Sequence, residues 1–143
     1  MAAQLVGFSE EYEFTRLYLA FEQFRYEDRL RVTVHVEPAA FDFDVPPFSL
    51  QTLVENAVRH AISVRPEGGS IWIDCFCRAG MLTTTVRDDG PGSNGDAVDS
   101  HHLGLRSLRE RLTAAYGNKA ELRITSDSQG FEASFVVPAA EDR

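Results

Sequence analysis

Leu53-Val-Glu-Asn-Ala-Val-Arg-His60, with its flanks, decides how this chain folds. On an α-helix advancing about 100° per residue from Glu55, the side chains of Glu55, Arg59, Thr52, Ser63, Asn56 and His60 share an arc of roughly 140°. Leu50, Leu53, Val54, Ala57, Val58, Ala61 and Ile62 take the other side. The spacing predicts a helix over 48–63 that buries one face and presents a carboxylate, a carboxamide, a guanidinium and an imidazole on the other. That set suits a hard cation and phosphates, although a surface helix with a Glu55/Arg59 pair has the same pattern.

A second segment, Val86-Arg-Asp-Asp-Gly-Pro-Gly92, follows the strand-like Leu82-Thr-Thr-Thr-Val86. Asp88 therefore stands at a strand end, where a carboxylate can accept hydrogen bonds from an exocyclic amine. Gly90 and Gly92 let backbone approach a ligand closely. By itself an acidic-Gly-Pro-Gly run is also an ordinary turn. A third segment, Leu103-Gly-Leu-Arg-Ser-Leu-Arg-Glu-Arg-Leu112, opens a helix whose N-terminus is a ready anion site.

The remaining pattern predicts helices over 10–29 and 103–116 and strands over 30–37, 70–78, 82–88, 119–127 and 130–137. Gly80 marks one hairpin and Ser128-Gln129-Gly130 another. The helices at 48 and 103 are expected to cover one face of a mixed, mainly antiparallel sheet. The expected architecture is an α/β (α+β) two-layer sandwich. Phe14, Leu17, Tyr18, Phe21 and Phe24 recur at helical spacing and read as a packing stripe, with docking of a neighbouring domain as the alternative. The polar stretch from Ser93 to His102 has no periodicity and reads as a lid.

The 143 residues suffice for one core, and an apolar fraction of 43% is that of an ordinary globular domain. A net charge of −8 argues against a nucleic-acid-binding surface. No apolar run reaches the eighteen residues of a membrane span and no signal peptide is evident, so the chain itself is expected to be soluble and cytoplasmic. Cys75 and Cys77 point the same way from one strand and read as filling in a reducing compartment, without a function. His101-His102 stands without a nearby cysteine, and adjacent histidines seldom converge on one metal.

In order and spacing these segments resemble the ATP-binding catalytic domain of two-component sensor histidine kinases, a member of the GHKL ATPase superfamily with its Bergerat-type ATP-binding fold. Tyr18-Leu-Ala-Phe-Glu-Gln-Phe-Arg25, Asp28-Arg-Leu30, Val45-Pro-Pro47, Leu108-Arg-Glu-Arg-Leu112 and Tyr116-Gly117 narrow the resemblance to the LytS-like subgroup, over roughly residues 10–137. The resemblance implies ATP and Mg²⁺ as cofactors. It implies that Asn56 holds Mg²⁺ and that Glu55 is the general base. Arg59, in the usual lysine's place, would meet phosphates, with His60 near them. Asp88 would recognise the adenine amino group, with Gly90 and Gly92 completing the first glycine-rich box.

The second glycine-rich box departs from the pattern. Ser100-His-His-Leu-Gly104 stands where a Gly-Thr-Gly-Ile-Gly type run is usual, so two of three glycines are missing. His102, Leu103, Gly104 and Leu105 would still border the triphosphate, either with weaker backbone cradling or with imidazole donors. The resemblance further implies an N-terminal helical segment over 1–29, an ATP-binding domain over 30–138 and a tail over 139–143. None of His35, His60, His101 and His102 has the phosphoacceptor's setting, so the chain is expected to be a piece that is not self-sufficient as a kinase. Its implied partners are a phosphoacceptor histidine domain of the same protein or its dimer mate and, downstream, a response regulator. A membrane anchor in the parent protein is a further implication. Two alternatives stay open: a degenerate regulatory module with little or no nucleotide binding, and a hydrolytic GHKL ATPase, which normally needs a downstream transducer segment.

Overall fold

The periodicity around Leu53–His60 folds as α2 (Ser49–Ile62) in the computed structural model, which describes residues 4–62, 66–90 and 103–139. Leu50, Leu53, Val54, Ala57, Val58 and Ala61 are buried, against strands β4 (Gly69–Arg78) and β5 (Met81–Asp88). These strands join through Ala79-Gly80, where φ is 53° and 76°. Two consecutive positive φ values give the turn whose twist matches that of the flanking strands.

β2 (Leu30–Val36), β6 (Glu121–Asp127) and β7 (Gly130–Pro138) complete a sheet in the order β2-β4-β5-β7-β6. β2 is parallel to β4, a pairing that needs a crossover, and α2 lies in that connection. All other pairs are antiparallel, as expected for a mixed, mainly antiparallel sheet. Period-two alternation then decides the two faces. Ile71, Ile73 and Cys75, Leu82 and Val86, and Phe131, Ala133, Phe135 and Val137 are buried towards α2 and α3 (Leu103–Tyr116). The opposite face is more polar: the Arg87 guanidinium lies 4.2 Å from the Trp72 ring centroid, and the Thr85 and Ser134 hydroxyls meet at 2.9 Å.

Most elements form close to their expected limits. α1 (Phe8–Tyr26) gives way to a 3-10 turn over Glu27–Arg29, and a similar turn over Gly117–Lys119 delays β6. A short ladder between β1 (Val6–Gly7) and β3 (Asp44–Val45) was not expected, because two-residue strands carry no readable periodicity. Burial pushes the Cys75 thiol up to about 12, which disfavours the reactive thiolate.

The packing stripe expected on α1 is corrected by the structure for all its members except Tyr18, which is partly buried against the core. Phe14, Leu17, Phe21 and Phe24 are 52, 56, 63 and 82% exposed, while Phe8, Glu11, Thr15, Leu19 and Glu22 are buried. Polar pairing explains the choice of face. The Glu11 carboxylate accepts hydrogen bonds from the Phe48 and Gln51 amides at 2.9 and 3.1 Å, satisfying donors of the first turn of α2 and opposing its dipole. The Thr15 hydroxyl donates to Gln51 Oε1 at 2.9 Å. Helical spacing within α1 cannot show partners that lie on another helix.

Candidate functional site

The end of β5, the C-terminal turn of α2 and the start of β7 converge on Asp88. Its carboxylate is only 1% exposed. Oδ1 accepts the Gly90 amide at 2.9 Å, and Oδ2 lies 3.3 Å from His60 Nδ1. An ionised carboxylate only accepts, so the imidazole proton is assigned to Nδ1. The His60 ring stands edge-on to Phe131, with centroids 4.9 Å apart, and Phe131 is the β7 partner of Asp88 in the strand register. The neighbouring Asp89 serves the sheet instead, since its Oδ1 accepts the Ser70 amide at 2.8 Å and ties the strand end to β4.

Two glycines make this convergence possible. A Cβ at Gly90 would sit 2.2 Å from the His60 carbonyl oxygen, and one at Gly130 would sit 2.1 Å from that of Asp88. Both neighbours are backbone atoms and cannot swing aside. Gly90→Ala is therefore expected to destabilise the fold by about 3 kcal/mol, at the upper end of overpacking costs. Urea unfolding checks this; a parent-like midpoint would show that the strand end relaxes freely.

The polar arc of α2 divides between two places. His60 turns to Asp88, so the residue expected near the phosphates is held instead against this buried carboxylate. Asn56 is buried at 3% exposure, and its carboxamide makes no hydrogen bond among the described residues. Glu55 and Arg59 are exposed and line a groove of about 550 Å³ between α1 and α2, together with Tyr18, Glu22, Arg25 and Tyr26. Glu55 Oε1 accepts from Gln51 Nε2 at 2.9 Å, and Arg59 makes no ion pair among the described residues. The ordinary Glu55/Arg59 pair is thus not what holds this face.

Gly104 lies exposed in the first turn of α3, where a Cβ would be 3.3 Å from the Thr52 methyl, so the helix start adjoins α2. Leu105 is buried in the core, leaving its backbone as the part available to a ligand. Gly92, His101, His102 and the expected lid lie outside the described residues, as does the Leu103 side chain. Sequence reading missed Glu11, Thr15, Gln51 and Gly130. The one available signal was the i,i+4 spacing of Gln51 and Glu55.

Residues 47–141 match the histidine kinase-, DNA gyrase B-, and HSP90-like ATPase family. Over 132 residues the chain is 31% identical to the sensor histidine kinase YesM of Bacillus subtilis (strain 168), covering 90% of this chain and 23% of that protein. It is 33% identical over 145 residues to the sensor protein LytS of Staphylococcus haemolyticus, covering 94% and 25% respectively. The chain thus spans about a quarter of the length of these curated relatives. Among solved structures it superposes on the histidine kinase domain of the Erythrobacter litoralis EL346 blue-light activated histidine kinase. That match has a TM-score of 0.67 and 25% identity, over 87% of this chain and 62% of the other. The catalytic domain of histidine kinase ThkA superposes with a TM-score of 0.71 over 99% of this chain and all of the other, at 16% identity, which is a likeness of fold.

Proposed function

This chain belongs to the histidine kinase-, DNA gyrase B-, and HSP90-like ATPase family, and from that premise we propose that it is the Mg²⁺-ATP-binding catalytic domain of a sensor histidine kinase. The observation that carries the reading is Asp88, a buried acceptor at a strand end, backed by Gly90 and His60. A carboxylate so placed suits an exocyclic amine such as that of adenine. Arg59 is exposed and without an ion pair among the described residues, and a guanidinium is well shaped for phosphate oxygens. The start of α3, through the backbone of Leu103, Gly104 and Leu105, offers a helix N-terminus to the triphosphate.

The residues present fit a magnesium ion. Asn56 offers a hard carboxamide oxygen from a residue of α2 that is 3% exposed. Mg²⁺ keeps few protein ligands and takes the rest of its octahedron from phosphate and water, so one such residue serves. When bound, the ion supplies charge neutralisation along the phosphates. Glu55 would act on a histidine of an adjoining domain, of the same protein or its dimer mate, and a response regulator would receive the phosphoryl group downstream. In this reading residues 1–29 lead from the phosphoacceptor region, 30–138 form the ATP-binding unit and 139–143 are a tail. Among the described residues no helix is long and apolar enough to cross a membrane; a membrane anchor would belong to other parts of the parent.

Calorimetric titration of ATP with and without Mg²⁺ tests the proposal. Asn56→Ala should lose about tenfold in Mg²⁺-ATP affinity, near 1.4 kcal/mol, yet bind metal-free ATP like the parent. A parent that does not bind ATP would sink the reading. The competing view, a degenerate regulatory module, draws its support from Ser100-His-His-Leu-Gly104 and expects weak binding that ignores Mg²⁺ and is unchanged by Asn56→Ala.

A further inference from the structure

We propose that Gln51 is a positioning residue for Glu55 and that Thr15, on the neighbouring helix α1, holds Gln51 in place. The inference rests on the reading of Glu55 as the base. Thr15 and Gln51 are 1% and 3% exposed, and their contact joins α1 to the first turn of α2. The direction of each bond follows from the groups. The Gln51 carbonyl Oε1 can only accept, so it takes the Thr15 hydroxyl proton at 2.9 Å; Nε2 can only donate, and it faces Glu55 Oε1 at 2.9 Å. Rotating the amide by half a turn would set a carbonyl against a carboxylate. Glu55 therefore sets which end of the amide faces it and Thr15 anchors the other end, while the Gln51 backbone amide is bound by Glu11.

The consequence falls on the carboxylate. An exposed glutamate on a helix samples several rotamers, and ordering it costs side-chain entropy. Here Oε1 is already engaged, which leaves Oε2 as the proton acceptor with its direction set by α1. In the transfer, one ring nitrogen of the acceptor histidine forms the N–P bond. ADP leaves with the electron pair of the broken P–O bond, and the proton on the other ring nitrogen passes to Oε2. Geometry of this kind matters steeply, since misplacement by about 1 Å can cost on the order of a hundredfold in rate. Because Thr15 and Gln51 are both buried, breaking their contact leaves unsatisfied polar atoms and moves the amide rather than leaving it in place.

The test compares Thr15→Val, which keeps the branched shape and removes the donor, with Thr15→Ser, which keeps the hydroxyl, and with Gln51→Met. In single-turnover transfer from ATP to a phosphoacceptor helix domain joined to this chain, Thr15→Val and Gln51→Met should slow transfer about 10- to 100-fold. The KM for ATP should stay at the parent value, and Thr15→Ser should restore the rate. Independently, the Gln51 side-chain NH₂ resonances of the ¹⁵N-labelled chain should move in Thr15→Val and in Glu55→Ala and stay in place in Thr15→Ser. Parent-like transfer by a folded Thr15→Val overturns the proposal, as does a Gln51 amide signal indifferent to both Thr15 and Glu55. The underlying reading fails separately, by a Glu55→Gln protein that transfers like the parent.

Discussion

Asp88→Asn is expected to lower ATP affinity about 30- to 150-fold, the equivalent of about 2–3 kcal/mol for losing a hydrogen bond to a buried charged acceptor. The substitution keeps shape and changes only the direction of hydrogen bonding. In the parent both oxygens accept, Oδ1 from the Gly90 amide and Oδ2 from His60 Nδ1. An amide group must turn its NH₂ towards one of these donors or towards the incoming amine. The imidazole can relieve the clash on its side by presenting Nδ1 as an acceptor, which leaves the carboxamide oxygen to serve either Gly90 or the base, with a donor facing the other. In the proposed reading the defect lies at the adenine end, so it should be the same with and without Mg²⁺ and should appear with adenosine as well as ATP. Calorimetry with both ligands decides the matter. Parent-like binding of each would show that Asp88 does not read the base and that its burial is structural.

The readable parts of this protein were those whose signal is local. The apolar stripe of α2, the alternation in β4, β5 and β7, and the Ala79-Gly80 turn each follow from spacing over a few residues, and each formed where expected. Asp88 was picked out because a strand ends there, and the structure buries it. What escaped is what depends on partners distant in the chain. The buried face of α1 is chosen by Glu11 and Thr15, whose partners lie 36 to 40 residues away, on α2 and at Phe48 just before it. Gly130 is required by the carbonyl of Asp88 on an adjacent strand, a demand invisible in the hairpin sequence itself. The helical wheel placed Asn56 inside the polar arc, yet the residue is only 3% exposed. A wheel gives direction around one helix and says nothing of what packs beside it.

Glu55→Gln should separate transfer from binding. Glu55 stands in the groove between α1 and α2 beside Arg59, apart from the convergence of α2, β5 and β7 at Asp88. The glutamine keeps a carbonyl oxygen to accept from Gln51 Nε2, so its placement survives while its capacity to take a proton is lost. A general base contributes about 10²- to 10⁴-fold to rate, so transfer to histidine should fall by that factor. ATP affinity should change by less than about twofold, the signature of a group that acts in the transition state rather than in ground-state binding. Radiolabelled ATP provides the readout. The chain alone should acquire no acid-labile phosphohistidine, because none of its four histidines has the phosphoacceptor's setting; joining it to a phosphoacceptor helix domain should give labelling that Glu55→Gln suppresses. Strong self-labelling of the chain alone would contradict this division of labour between domains. A variant that loses ATP binding and transfer together would place Glu55 among the nucleotide ligands instead, and unchanged transfer would remove it from the chemistry altogether.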